Sequence, residues 1–261
     1  MVLTKKKLSG KTSYQIKLKI VKKKIIGVKK MTPAKMMKPA EYAEHLLLTS
    51  ILNGELKPGQ ALPGERKLAE QLGITRPTLR ETLQRMAREG WFRISHGKST
   101  IVNDYMEEGG MGLLSTLVQY SEYLPEKFIE HFLNIRCVLI PFLAWKTVTK
   151  NPEALQSYLE NTVSFDADAE TFMEYDWELQ RLMASLSGNP LYRMILNDFN
   201  DMYRKMGVEY FKFDNARESS LEYYGKLLDA VRERDANTVE AIVRGVMEEA
   251  VDIWSALSEL K

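Results

Sequence analysis

Residues 57–103 read KPGQALPGERKLAEQLGITRPTLRETLQRMAREGWFRISHGKSTIVN, and this stretch decides the N-terminal fold. Pro58 fixes φ and Gly59 tolerates positive φ, so Leu56–Gly59 is a turn. Pro63 stops the segment before it, and Glu65 suits a helix N-terminus. Leu68, Ala69 and Leu72 give a short apolar face that ends at Gly73, a usual helix-stopping residue. Thr75 can cap the next helix, and Pro77 falls in its first turn, where a missing N–H costs nothing. Leu79, Leu83, Met86 and Ala87 supply that helix's buried stripe. Two helices joined by a short glycine-containing turn form a helix-turn-helix. The exposed N-terminal end of the second helix is the part that meets base edges, and it carries Arg76, Thr78 and Arg80. Arginine there suits bidentate bonding to guanine O6 and N7.

After Gly90 the period changes from helical to alternating. Trp91–Ile94 and Ser99–Val102 read as two strands, with His96, Gly97 and Lys98 in a tight turn between them. Such a hairpin is a wing. Its tip offers a donor-capable imidazole, a backbone open to close approach and an ammonium, all suited to phosphate or minor-groove contact. On the N-terminal side, Tyr42, Ala43, Leu46, Leu47, Ile51 and Leu52 recur at three- and four-residue steps. They predict a helix from Ala40 that closes at Asn53-Gly54.

The charge distribution agrees with a DNA-reading N-terminal part. The 261-residue chain carries a net charge of only +2, but residues 1–38 hold 13 lysines and no acid. Residues 106–261 hold 15 basic and 27 acidic side chains, a net −12, so this half is a poor candidate for touching phosphates. The single cysteine, Cys137, excludes an internal disulfide framework and suits a reducing cytoplasm. No run of about 18 uninterrupted apolar residues exists, and no membrane partner is expected.

Beyond Met106 the chain reads as consecutive helices, roughly 110–121, 125–149, 152–166, 168–186, 190–211, 215–233 and 235–258. The breaks fall at Pro125, Asn151-Pro152, Gly188-Asn189-Pro190 and near Asp235-Ala236-Asn237. The expected fold class is mainly α. An N-terminal winged helix-turn-helix spans residues 38–104 and a C-terminal all-α helical bundle spans 105–261. Residues 1–37 form a basic leader with three readings. Lysines interrupt every apolar run that a signal peptide would need. A basic arm binding DNA or RNA non-specifically is one alternative. A misassigned start is the other, because Met31, Met36 and Met37 stand just before the first patterned helix. A segment of either kind is expected to be poorly ordered.

The quoted stretch resembles the DNA-binding domain of GntR-family regulators, through its Leu-Pro-x-Glu-Arg, Leu-Gly-x-Thr-Arg and Leu-Arg-Glu-x-Leu series. From about Pro39 to Trp254 the chain is similar to the fatty-acid-responsive, FadR-type branch of that family. "SGNPLYRMILNDF", "MGVEYF" and "EEAVDIW" carry that likeness in the C-terminal half. The resemblance implies DNA-contacting roles for Arg66, Thr75, Arg76, Thr78, Arg80, His96 and Gly97, beside Lys98 at the wing tip. It implies a homodimer that binds a palindromic operator on double-stranded DNA in the cytoplasm, at the nucleoid. It also implies repression of fatty-acid breakdown with activation of unsaturated fatty-acid synthesis, and release of the operator by long-chain acyl-coenzyme A.

The implied ligand site comprises Arg136, Tyr203, Tyr210, Tyr224, Met247, Ala250 and Trp254. Phe128, Phe132, Leu133, Leu139, Met183, Leu186 and Met194 are candidate walls for an acyl tail. Met247 and Ala250 stand where the family more often has glycine and serine, and a larger Met247 narrows the access for coenzyme A. Regulators of this class often hold a metal on one aspartate and three histidines. Here Asp176 keeps the acid, Gln180 replaces the first histidine, and Tyr224 and Val246 stand at the other two positions. Of the three histidines, His45 and His96 lie in the DNA-reading part and His131 is left alone. No metal and no cofactor are expected. No Ser-His-Asp set, paired histidines or phosphate-cradling glycine loop points to an enzyme. The alternative function is a regulator of the same architecture that senses a different metabolite, such as an organic acid.

Overall fold

The computed structural model describes residues 37–124 and 127–258. The basic leader up to Met36 and the expected break at Pro125 lie outside the described residues. Helix α1 (Pro39–Leu52) begins with proline at its first position and buries Ala43, Leu47, Leu48 and Ile51. Helix α2 (Glu65–Leu72) ends at Gly73, whose φ of 70° is a left-handed stop that favours glycine. Helix α3 (Arg76–Glu89) is capped by Thr75, whose side-chain oxygen accepts from the Thr78 amide at 3.3 Å. Its apolar stripe, Leu79, Leu83 and Met86, is fully buried against α1 and α2.

The wing is shorter than its sequence pattern. Strands β1 (Phe92–Arg93) and β2 (Ile101–Val102) pair antiparallel in the register Phe92↔Val102 and Arg93↔Ile101. Ile94 is 45% exposed and lies outside the ladder. Alternation predicted a longer strand, but the side chain that would extend it, Ile94, is left facing solvent. A third extended segment completes the sheet instead. The Val102 amide donates to the Gln60 carbonyl at 2.9 Å and the Leu62 amide to the Thr100 carbonyl at 2.8 Å. Pro63 thus terminates a pairing segment, not a bare turn.

The linker carries a short helix α4 (Tyr105–Glu108), followed by α5 (Leu113–Gln119) and a 3-10 turn at Ser121–Tyr123. Gly110 and Gly112 delay α5 relative to the expected start at 110. Leu113 and Leu117 of α5 are buried in the same apolar cluster as Leu47, Leu83 and Trp91, so this helix packs on the DNA-reading head.

Among the described residues, six further helices build the C-terminal bundle: α6 (Phe128–Lys150), α7 (Pro152–Leu159), α8 (Ala169–Leu186), α9 (Pro190–Tyr210), α10 (Asp214–Arg232) and α11 (Ala236–Ser258). The helix expected over 152–166 ends at Leu159. Asn161-Thr162-Val163-Ser164 is a run of weak helix formers, and Asp168 caps the next helix through the Thr171 amide at 2.8 Å. Helix α6 lies at the centre, packed against α11, α8 and α7. By length and composition it would suffice to cross a membrane, but it buries Leu133, Ile140, Leu143 and Val148 inside the bundle. Pro141 inside it has no amide to offer the Cys137 carbonyl, and Arg244 of α11 donates to that carbonyl at 3.4 Å. The kink-prone position is therefore satisfied from a neighbouring helix.

Candidate nucleic-acid interface and ligand cavity

The predicted DNA-contacting side chains collect at one end of the head. Arg66 on α2 and Arg76 and Arg80 on α3 are exposed, as are Thr75, His96, Gly97 and Lys98, and Thr78 is half-buried. Gly97 has a φ of 71° and the Lys98 amide donates to the Ser95 carbonyl at 3.1 Å, which closes the turn at the wing tip. Thr75 and Thr78 are not free hydroxyls, since their oxygens lie 2.8 Å apart within the helix cap. Arg80 is also engaged. Its Nε and Nη2 donate to the Glu65 carboxylate at 3.2 and 2.7 Å. That pairing holds the Glu65 carboxyl below its usual range and raises the Arg80 guanidinium. Sequence reading gave Arg80 no partner, because Glu65 lies fifteen residues earlier on another helix.

The bundle holds a cleft of about 550 Å³, counting its open mouth. Phe132, Leu133 and Arg136 enter it from α6, and Asp176 from α8. Helix α9 adds Tyr203, Met206, Gly207 and Tyr210, helix α10 adds Ser220 and Tyr223, and α11 adds Val246, Met247, Ala250 and Trp254. The cleft is largely apolar, with one hydrogen-bonded polar cluster and, apart from it, Ser220 and Tyr223 in the lining. Arg136 and Asp176 are only 7% and 6% exposed, with Nη2 and Oδ2 4.0 Å apart. The Asp176 carboxylate accepts from the Tyr224 hydroxyl at 2.8 Å, from the Gln180 amide at 2.6 Å and from the Tyr203 hydroxyl. Arg136 donates from Nε to Gln180 Oε1 at 3.3 Å and stacks over the Tyr203 ring, 4.8 Å from its centroid. Burial, reinforced by the Asp176 charge, pushes the Tyr203, Tyr223 and Tyr224 phenols well above their ordinary value.

Of the seven ligand-site residues expected from sequence, six line the cleft and Tyr224 does not. Tyr224 sits behind the wall and supports Asp176. Among the expected tail walls, only Phe132 and Leu133 face this space. Met183 is packed in the core and Met194 is 61% exposed on α9. Leu139 and Leu186 lie elsewhere, and Phe128 faces a groove beside the linker with His131. Helical spacing shows that such residues share a face but not which neighbour the face meets. Tyr223, Gly207 and Ser220 were missed because a tyrosine, glycine or serine within a helical run carries no local signal of a cavity.

The donor set does not suit a transition metal. Gln180, Tyr224 and Val246 provide no imidazole, and the Asp176 carboxylate already accepts three hydrogen bonds. Among the described residues no cluster of three or more His, Cys, Asp or Glu side chains is arranged to hold an ion.

Comparison with known proteins separates the chain into two matched regions. Residues 39–102 match the bacterial regulatory proteins of the gntR family, and residues 103–260 match the FadR C-terminal domain. The chain belongs to the FadR branch of the GntR family. The fatty acid metabolism regulator protein of Serratia proteamaculans is 35% identical over 85% of this chain and 93% of its own length. That of Pectobacterium atrosepticum is 36% identical over 85% and 93%. Among solved structures, Streptococcus agalactiae GntR aligns over 82% of this chain and 99% of its own, at 20% identity and a TM-score of 0.41. As a FadR-type chain it is a DNA-binding transcription regulator of the fatty-acid-metabolism class, whose relatives are regulators and not enzymes. FadR-type regulators respond to a small-molecule effector.

Proposed function

We propose that this chain acts as a homodimer in the cytoplasm, at the nucleoid. It binds a palindromic operator through residues 38–104 and releases it when long-chain acyl-coenzyme A enters the bundle formed by residues 105–261. Arg66, Arg76, Arg80 and Lys98 contact DNA together with the Thr75, Thr78, His96 and Gly97 positions. Arg136, Tyr203, Tyr210, Met247, Ala250 and Trp254 contact the ligand, and Tyr224 supports them. The observation that carries the reading is the cleft itself: a largely apolar space with a buried polar cluster, lined by six of the seven residues that the family resemblance implies. Exposed Met106, Met111 and Ile135 border one apolar groove beside the linker, and an exposed apolar surface of this kind supports self-association.

The test uses an operator selected from random duplexes with the full chain. Micromolar oleoyl-coenzyme A weakens operator binding and free oleate does not. An operator affinity that ignores the thioester ends the acyl-coenzyme A reading. The buried Met247 wall favours one second reading, a smaller effector such as an organic acid. Mass spectrometry of the purified protein distinguishes the two by the molecule it carries.

A further inference from the structure

One group in the cleft has no use within the fold. The Tyr223 side chain is 4% exposed and lines the cavity, and its hydroxyl has no hydrogen-bond partner among the described residues. Leaving a buried hydroxyl unpaired is unfavourable, so such a group awaits a partner that the protein does not supply. Tyr203 and Tyr224 differ from it: both donate to Asp176 and are satisfied without a ligand.

The charges around the cavity define which partner fits. Arg136 would by itself invite an anion, but Asp176 stands 4.0 Å away in the same buried cluster. Together the two leave this buried cluster without net charge. A free carboxylate would bring an unbalanced charge into this low-dielectric space, which is strongly unfavourable. A thioester or ester carbonyl brings an acceptor and no charge.

We propose that the Tyr223 hydroxyl donates a hydrogen bond to a neutral carbonyl of the ligand, and that the Arg136–Asp176 pair, by cancelling its own charge, excludes the free acid. Tyr223 thus positions the acyl carbonyl, while the Arg136–Asp176 pair sets the preference for a thioester over a fatty acid. The inference rests on the acyl-coenzyme A reading above.

Direct binding to the full chain tests it without an operator. Tyr223→Phe keeps the ring, removes only the unpaired hydroxyl and leaves the melting temperature equal or higher. It binds oleoyl-coenzyme A about fivefold or more weakly than the natural chain. The thioether analogue, with CH₂ in place of the carbonyl, binds both chains equally. For the charge half, the natural chain binds methyl oleate and rejects oleate, and Asp176→Asn, where it folds, gains at least about tenfold in oleate affinity. Equal affinity of Tyr223→Phe and the natural chain for oleoyl-coenzyme A overturns the donor role, as does an equal loss with the thioether. Oleate binding to the natural chain as tightly as methyl oleate overturns the exclusion. A natural chain that binds methyl oleate but not oleoyl-coenzyme A would overturn the acyl-coenzyme A reading alone.

Discussion

Arg76 and Arg80 stand one turn apart on α3, yet their surroundings differ. Arg76 is exposed, whereas Arg80 is forked onto Glu65. The pair is too exposed to stabilise the head appreciably, and its effect is to fix where the Arg80 guanidinium points. Replacing Arg76 with alanine is expected to remove about 1–3 kcal/mol of discrimination between operator and non-operator duplexes. An unchanged ratio of the two affinities would exclude base reading by that side chain. The buried phenols make a second prediction at this scale. Burial pushes Tyr120 up to about 12, and it also holds Tyr203, Tyr223 and Tyr224 well above the ordinary phenol value. Above the unfolded phenol value of about 10 the unfolded chain releases protons that the folded chain retains. Their contribution to stability is therefore complete below about pH 10 and is lost as pH rises through the folded values. The melting temperature should fall from about pH 10 upward, more steeply than in a Tyr120→Phe variant. Equal slopes for the two chains would remove Tyr120 from the explanation.

Helix α3 was legible because its determinants are local. Thr75, Pro77 and Gly90 mark its ends in the sequence and do so in the structure. Gly90 does more than stop it. Its φ is 101°, and a Cβ built there would stand 3.1 Å from the Gly109 Cα in the linker. Gly90→Ala is therefore expected to destabilise the chain by more than about 1 kcal/mol, through both backbone strain and loss of this close approach. Urea unfolding reads the change, and an unaltered midpoint would show that the linker does not rest there. What the sequence left hidden was non-local. The pairing of Gln60–Leu62 with β2 joins residues forty apart, and no alternation marks it. The cleft gathers positions 136, 176, 203, 223 and 247 from five helices. Each of those helices showed its apolar period, but the period does not say which side meets a cavity and which a neighbour. Arg136 stood out as a charge inside an apolar helical stretch and does face an acid, Asp176, whereas Tyr203 and Trp254 were recoverable only through family resemblance. Tyr223, whose significance lies in a partner it lacks, was not.

Across the whole molecule, helix α9 belongs to both functions. Tyr203, Met206, Gly207 and Tyr210 face the cleft. Between them, Lys205 donates from Nζ to the Val118 carbonyl and the Ser121 hydroxyl, each at 2.8 Å, and so holds the end of the linker. The adjoining Tyr120 hydroxyl lies 3.1 Å from His45 Nδ1 on α1, with the two rings stacked. Helix α1 packs on α3 and pairs Glu44 with Arg85. A ligand that displaces α9 would thus act on the recognition helix through contiguous contacts, provided it binds the two arrangements with different affinities. Linkage makes the size of that difference measurable as the ratio of operator affinities with and without ligand. Lys205→Met retains the aliphatic stem but removes both hydrogen bonds to the linker. Because Lys205 does not line the cleft, oleoyl-coenzyme A should bind the variant nearly as it binds the natural chain. The affinity ratio should shrink severalfold toward unity, since charge-assisted bonds of this kind are worth about 1.5–3 kcal/mol when shielded and less at this partly open site. A variant that binds the thioester normally and still releases its operator over the full range would show that α9 signals by another route.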